Sequence, residues 1–172
     1  MPEESRPDPA NAGPSATDLE ALATFASALA DGIDEALGPW VVRSVRTVYA
    51  VQMGSPPPAD VLADADRAAM AATGEISPRI RELLAKDIDE QRTGPLAILR
   101  SAVRFPTDVL AAAGVPPKQR DEFARTQFPD DVYDLNLAAF ADLSPDLHET
   151  GLIWGAAKAH VHLSRRRAEG RS

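Results

Sequence analysis

Leu19, Leu22, Ala26, Leu29, Ile33 and Leu37 recur at steps of three and four residues, the spacing that stacks side chains on one face of an α-helix. A half-buried strand needs apolar residues at alternate positions, and no segment of this chain sustains that period. The chain is therefore expected to be all-α. At 172 residues, 44% of them apolar, it has the length and the apolar content for one core. The expected fold is a compact single-domain bundle.

Glycine and proline set the expected helix count, because both interrupt helices and the chain holds 10 and 15 of them. Thr17 and Glu20 have capping-box spacing ahead of the first stripe, and Gly38-Pro39 is expected to end it. Val41, Val45 and Val48 share a helical face and predict a helix over 40–53. Three prolines make 54–58 a break. A helix over 60–72 should end at Gly74, and Ser77-Pro78 should open another that reaches Arg92. Shorter helices are expected over 96–104, 107–113 and 118–128, with a further turn at 130–134. Ser144-Pro145 should begin a last helix ending at Arg167. The total is about seven to eight short helices. Residues 1–14, acidic and rich in proline, are expected to form a disordered tail, residues 15–168 the domain, and residues 169–172 a flexible C-terminus.

Net charge is −8, which disfavours a surface devoted to nucleic-acid phosphate. The charge is uneven, since 157–172 holds five Lys or Arg against a single Glu. Lys158, Arg165, Arg166 and Arg167 are accordingly candidates for docking a partner surface. With no cysteine in the chain, disulfides, thiolate metal sites and cysteine nucleophiles are excluded. The N-terminus lacks the basic start and apolar run of a secretory signal, so a cytoplasmic location is the expectation. No apolar run approaches the ~20 residues of a membrane span.

Residues 128–167 concentrate the chemistry. Asp130, Asp131 and Asp134 match the Asp-Asp-x-x-Asp pattern with which all-helical isoprenoid synthases hold magnesium against a diphosphate. This chain is much shorter than those enzymes and offers no second acidic motif. The preceding Pro129 instead suggests that the aspartates cap a helix start. His160 and His162 are two residues apart, turned by ~200° on a helix, and His148 lies about 18 Å or more away along its axis. One helix therefore cannot bring two of them to one ion. There is no Gly-x-Ser-x-Gly elbow and no glycine-rich phosphate loop.

Residues 109–120 have the outline of a helix-turn-helix around Gly114, although bulky Leu110 stands where that motif needs a small residue. The would-be reading helix also mixes Asp121 and Glu122 with Lys118, Arg120 and Arg125. Gly151, Gly155 and Ala159 lie four apart, an expected strip of close helix packing in the core or in a dimer seam.

Over the last half of the chain, Gln91-Arg92-Thr93-Gly94-Pro95-Leu96, Phe128-Pro129-Asp130-Asp131-Val132-Tyr133-Asp134-Leu135 and Trp154-Gly155-Ala156-Ala157-Lys158-Ala159-His160-Val161-His162 together resemble a family of small helical actinobacterial proteins with no assigned activity. The resemblance implies a helical fold and no catalytic or ligand-binding residue. The leading expectation is a non-catalytic cytoplasmic protein that acts through protein contacts, its partner another protein or a second copy of the chain, with no cofactor and no membrane. The alternatives are a nucleic-acid-binding regulator using the hairpin around Gly114 or the C-terminal arginines, and a metal-dependent enzyme centred on Asp130, Asp131 and Asp134.

Overall fold

The computed structural model describes residues 12–86 and 94–170, and every regular element among them is helical. The tail expected over 1–14 lies outside the described residues as far as residue 11. The same holds for the end of the helix expected to reach Arg92 and for the last two residues.

The first element, α1 (Ala16–Met53), is one helix of 38 residues, about 57 Å long at 1.5 Å per residue. Its cap lies two residues earlier than expected: Ser15 Oγ accepts the Asp18 N–H and Asp18 Oδ2 accepts the Ser15 N–H, both at 3.1 Å. The stop expected at Gly38-Pro39 does not occur, and Pro39 sits inside the helix. Magnitudes explain why. An interior proline costs about 3 kcal/mol, whereas Leu29, Ile33 and Leu37 before it and Trp40, Val41 and Val45 after it are buried along one continuous face. Burying each large side chain contributes roughly 1.5 to 3 kcal/mol, so breaking the rod would sacrifice more than the proline costs. Gly38 lies against the neighbouring helix, where a Cβ would make ordinary contact with Thr73 Oγ1 at 3.5 Å.

Gly54, at φ 72°, closes α1 by donating its N–H to the Ala50 carbonyl, a left-handed cap that glycine adopts without strain. After 54–58 the chain returns in α2 (Ala59–Ala85), which runs through Gly74 and Pro78 where two helices were expected. The reason is the same, since Ala65, Ala69, Ala72, Ile76, Ile80 and Leu84 stay on one buried face. Arg81 straps this pair together, donating from Nη2 to Asp31 Oδ1 at 2.7 Å and from Nε to Asp34 Oδ2 at 2.8 Å. Arg81 and Asp31 are exposed, so water and salt screen the strap and the apolar face carries the pairing of the two helices.

The rest of the chain wraps this hairpin. α3 (Pro95–Arg100) passes through a single 3-10 turn, Ser101–Val103, into α4 (Arg104–Ala112). Pro106 falls in the first turn of α4, where no intrahelical N–H bond is needed. The helix expected over 118–128 shrinks to α5 (Glu122–Gln127), capped by Asp121 Oδ1 accepting the Ala124 N–H at 2.7 Å. α6 (Phe140–Leu143) is a single turn, and α7 (Leu147–Glu169) is the last helix. Three long helices thus replace most of the expected seven to eight short ones. The main core lies between α1 and α2 and is completed by Leu137, Leu143, Leu147 and Trp154. A second cluster joins Val45, Val61 and Ala65 to Val109, Leu110, Val115 and Tyr133.

The irregular stretch between α4 and α6 is held by side chains. Tyr133 donates to the Val115 carbonyl at 2.7 Å, Arg120 to Phe128 at 3.1 Å, Arg100 to Leu137 at 3.3 Å and Arg43 to Leu143 at 3.0 Å. Each satisfies a carbonyl that no helix ladder reaches. Because Pro39 is exposed, Pro39→Ala should restore a helix hydrogen bond without disturbing the core and stabilise the fold by about 1 to 3 kcal/mol. Thermal unfolding followed by circular dichroism measures this. A lower melting temperature would mean that the proline itself is required for the packing of α2.

Candidate interaction surface

A turn made by the Leu147 N–H to the Ser144 carbonyl at 3.0 Å leads into α7, which packs on α1 and α6. Leu147, Gly151, Trp154 and Val161 form its buried face. Leu147 fills the space left by Gly32 of α1, where a Cβ would run into its Cδ2. Phe140 of α6 lies on Gly151 and meets the Trp154 ring edge-on, with centroids 6.4 Å apart and planes at 87°. Lys158 Nζ lies over the Trp154 ring, 5.1 Å from its centroid, and partial burial pushes its ammonium pKa down.

The opposite face of α7 is apolar and open. Leu152, Ala156, Ala159 and Leu163 are all exposed, the two leucines at 61% and 53%. At 100° per residue these four fall within a sector of about 60°, and its centre is about 160° from the centre of the buried face. Exposed Ile153 widens one flank. Glu149 stands at the amino end of this face and Arg166 and Arg167 at its carboxyl end, so the face is acidic at one end and basic at the other.

This geometry divides the residues singled out in the sequence. Among the described residues, Gly151 is the member of the Gly151, Gly155, Ala159 strip that meets a close neighbour, the Phe140 ring. A Cβ on Gly155 would meet nothing within 4 Å, and Ala159 is exposed. α7 gives one half to the core and turns the other half outward. Lys158 and Arg165 turn toward the body, while Arg166 and Arg167 stand on the outer side. The Leu152, Ala156, Ala159, Leu163 stripe escaped the reading of the sequence, although its four-three-four spacing is the signal that would have found it. Two alanine substitutions check the assignment. Gly151→Ala should cost about 1 to 3 kcal/mol because the Phe140 ring must move, whereas Gly155→Ala should stabilise α7 by up to about 1 kcal/mol. Equal effects on the melting temperature would refute the division.

The aspartate cluster takes a different form from the one expected. Asp130, Asp131 and Asp134 lie in successive turns rather than at a helix start. Asp131 points inward and accepts the Leu135 N–H on Oδ1 at 2.8 Å, fixing the turn. Asp134, at a left-handed φ of 58°, points to Lys118 Nζ at 3.3 Å. Asp130 is exposed. Among the described residues, no three His, Asp or Glu side chains converge as a metal ion would need.

Burial pushes the Asp131 pKa above its ordinary 3.8, against the opposing pull of the Leu135 N–H. An acid whose folded pKa is raised holds its proton more tightly in the folded state. It therefore contributes stability at low pH that is lost as pH rises from 3.8 through its folded value. Asp131→Asn keeps the acceptor and removes the charge, so its melting temperature should equal or exceed that of the wild type at pH 7, with the gap closing in acid. Asp131→Ala removes the acceptor and should cost about 1 to 3 kcal/mol. Melting curves between pH 3 and pH 8 (about five units) compare the three. A less stable Asn variant at neutral pH would show that the turn needs the anion itself.

The hairpin around Gly114 also departs from expectation. Gly114 makes the turn at φ 74°, but the chain then runs extended, the Lys118 N–H bonding to the Val132 carbonyl at 3.1 Å, and α5 presents only six residues. His160 Nε2 lies 3.5 Å from Asp18 Oδ1 on α1, while His148 and His162 are exposed on α7. The bond from the Ser15 N–H, with help from the Ser15 hydroxyl and His160, holds the Asp18 carboxyl below its usual range. No described helix is long and apolar enough to cross a membrane. No protein-family model, no curated protein and no solved structure matches this chain.

Proposed function

We propose that this chain is a non-catalytic cytoplasmic protein that acts through protein contacts, with the outward face of α7 as its contact surface. The observation that carries this reading is the stripe Leu152, Ala156, Ala159 and Leu163, left open opposite a fully packed face of the same helix. A surface helix ordinarily places charged and polar residues on its solvent side. An aligned apolar row there is what a helix-to-helix contact uses, and single scattered leucines would carry no such meaning. Arg166 and Arg167, exposed at the end of the same face, supply charge that orients a partner.

Capture by the immobilised chain tests the proposal against a built-in control. Leu152→Asp with Leu163→Asp should abolish recovery of whatever the wild type retains specifically. Met70→Asp, which alters an exposed methionine on α2 (76% accessible), should leave recovery intact. Both variants should keep the wild-type helical signal, because neither touches the core. Recovery that survives the α7 changes would overturn the assignment of this face.

A further inference from the structure

Resting on that reading, we propose that the occupant of the α7 face is a second copy of this chain, the two α7 helices running antiparallel about a twofold axis near Ala157 and Lys158. The row Leu152, Ala156, Ala159, Leu163 repeats at four, three and four residues, the spacing of the seam in a two-helix coiled coil. Antiparallel pairing sets Leu152 opposite the partner's Leu163 and Ala156 opposite the partner's Ala159. Every layer of the seam is then apolar. The two alanine layers fall at the centre, where small side chains allow the axes to approach to about 8 Å, the short end of the usual range.

The charges select this occupant and this direction. Glu149 and Arg167 lie on the same flank of the seam, each about 50° from its centre. Antiparallel pairing keeps like flanks together and so brings Glu149 across from the partner's Arg167, twice by symmetry. Among the described residues neither has an ion pair within its own chain. Parallel pairing would instead gather Arg166 and Arg167 of both copies at one end and align the two helix dipoles, both unfavourable. The seam spans about 16 Å and covers less than the roughly 1,200 Å² of a standard stable interface. The pair is consequently weak and forms in proportion to concentration.

Sedimentation equilibrium on the full chain, from micromolar to millimolar, should show a mass rising from 18.3 kDa toward twice that value. Ala156→Glu with Ala159→Glu should weaken the association at least about tenfold by placing unpaired charges in the seam. Glu149→Arg should weaken it too, and adding Arg167→Glu should restore it. Direction is read by crosslinking, which the absence of cysteine makes clean. An oxidised mixture of the Leu152→Cys and Leu163→Cys proteins should give a disulfide between the two, and neither protein should crosslink efficiently alone. A chain that stays monomeric throughout, an association indifferent to the Ala156 and Ala159 changes, or efficient crosslinking of either variant alone would overturn the proposal. A monomeric chain whose captured proteins are still lost with Leu152→Asp and Leu163→Asp would overturn self-pairing and leave the contact surface standing. If neither association nor capture responds to α7, both fall.

Discussion

Continuity of α1 through Pro39 is the constraint on which the remaining structure depends. α2, α4, α6 and α7 all pack on this helix, and they can share it only because Leu29, Ile33 and Leu37 stay in register with Trp40, Val41 and Val45 across the proline. A turn at Gly38-Pro39 would point the second half of the stripe elsewhere. The single hydrogen bond lost at an interior proline is a local cost, whereas the shared apolar face is a collective gain. α2 repeats the arrangement through Gly74 and Pro78, so two interrupted sequences become one long hairpin.

The hairpin accounts for the irregular segment that follows. Once α1 and α2 are fixed, the chain from α4 to α6 lies across their open side with few ladder bonds of its own. Its carbonyls are met by Arg43, Arg100, Arg120 and Tyr133. Asp131 and Asp142 accept the N–H groups of Leu135 and of Ala138 and Ala139. Residues that look like chemistry in the sequence are thus used to tie down backbone. This is a frequent role for short carboxylates beside turns, because their oxygens reach nearby N–H groups without help from a helix.

α7 closes the main core with one face and leaves the other free. Leu147 and Trp154 need the space offered by Gly32 and bounded by Phe140, and filling it fixes the rotation of the helix about its axis. That rotation, set by packing inside, determines which residues point outward. The apolar row from Leu152 to Leu163 and the split of Lys158 and Arg165 from Arg166 and Arg167 both follow from it. The proposed contact surface and its pairing are consequences of how the interior is packed.

The sequence by itself determined the helical class, the turn at residues 54–58, the start of α7 near Ser144-Pro145 and the apolar positions of α1, because periodicity and proline chemistry are local and act wherever the residues stand. It misplaced the stops at Gly38-Pro39 and Gly74 and the helix start at Ser77-Pro78, since a breaker's cost is local but its outcome depends on apolar area buried against helices far away in the chain. It also read Gly151, Gly155 and Ala159 as one strip, because spacing of four shows that residues share a face without showing what lies against each. Only the tertiary structure decided that Gly151 meets Phe140, while a Cβ on Gly155 would find open space and Ala159 is exposed. It likewise turned Asp131 inward and left Leu152 and Leu163 outside. Exposure is a property of packed elements, and no single helix carries that information alone.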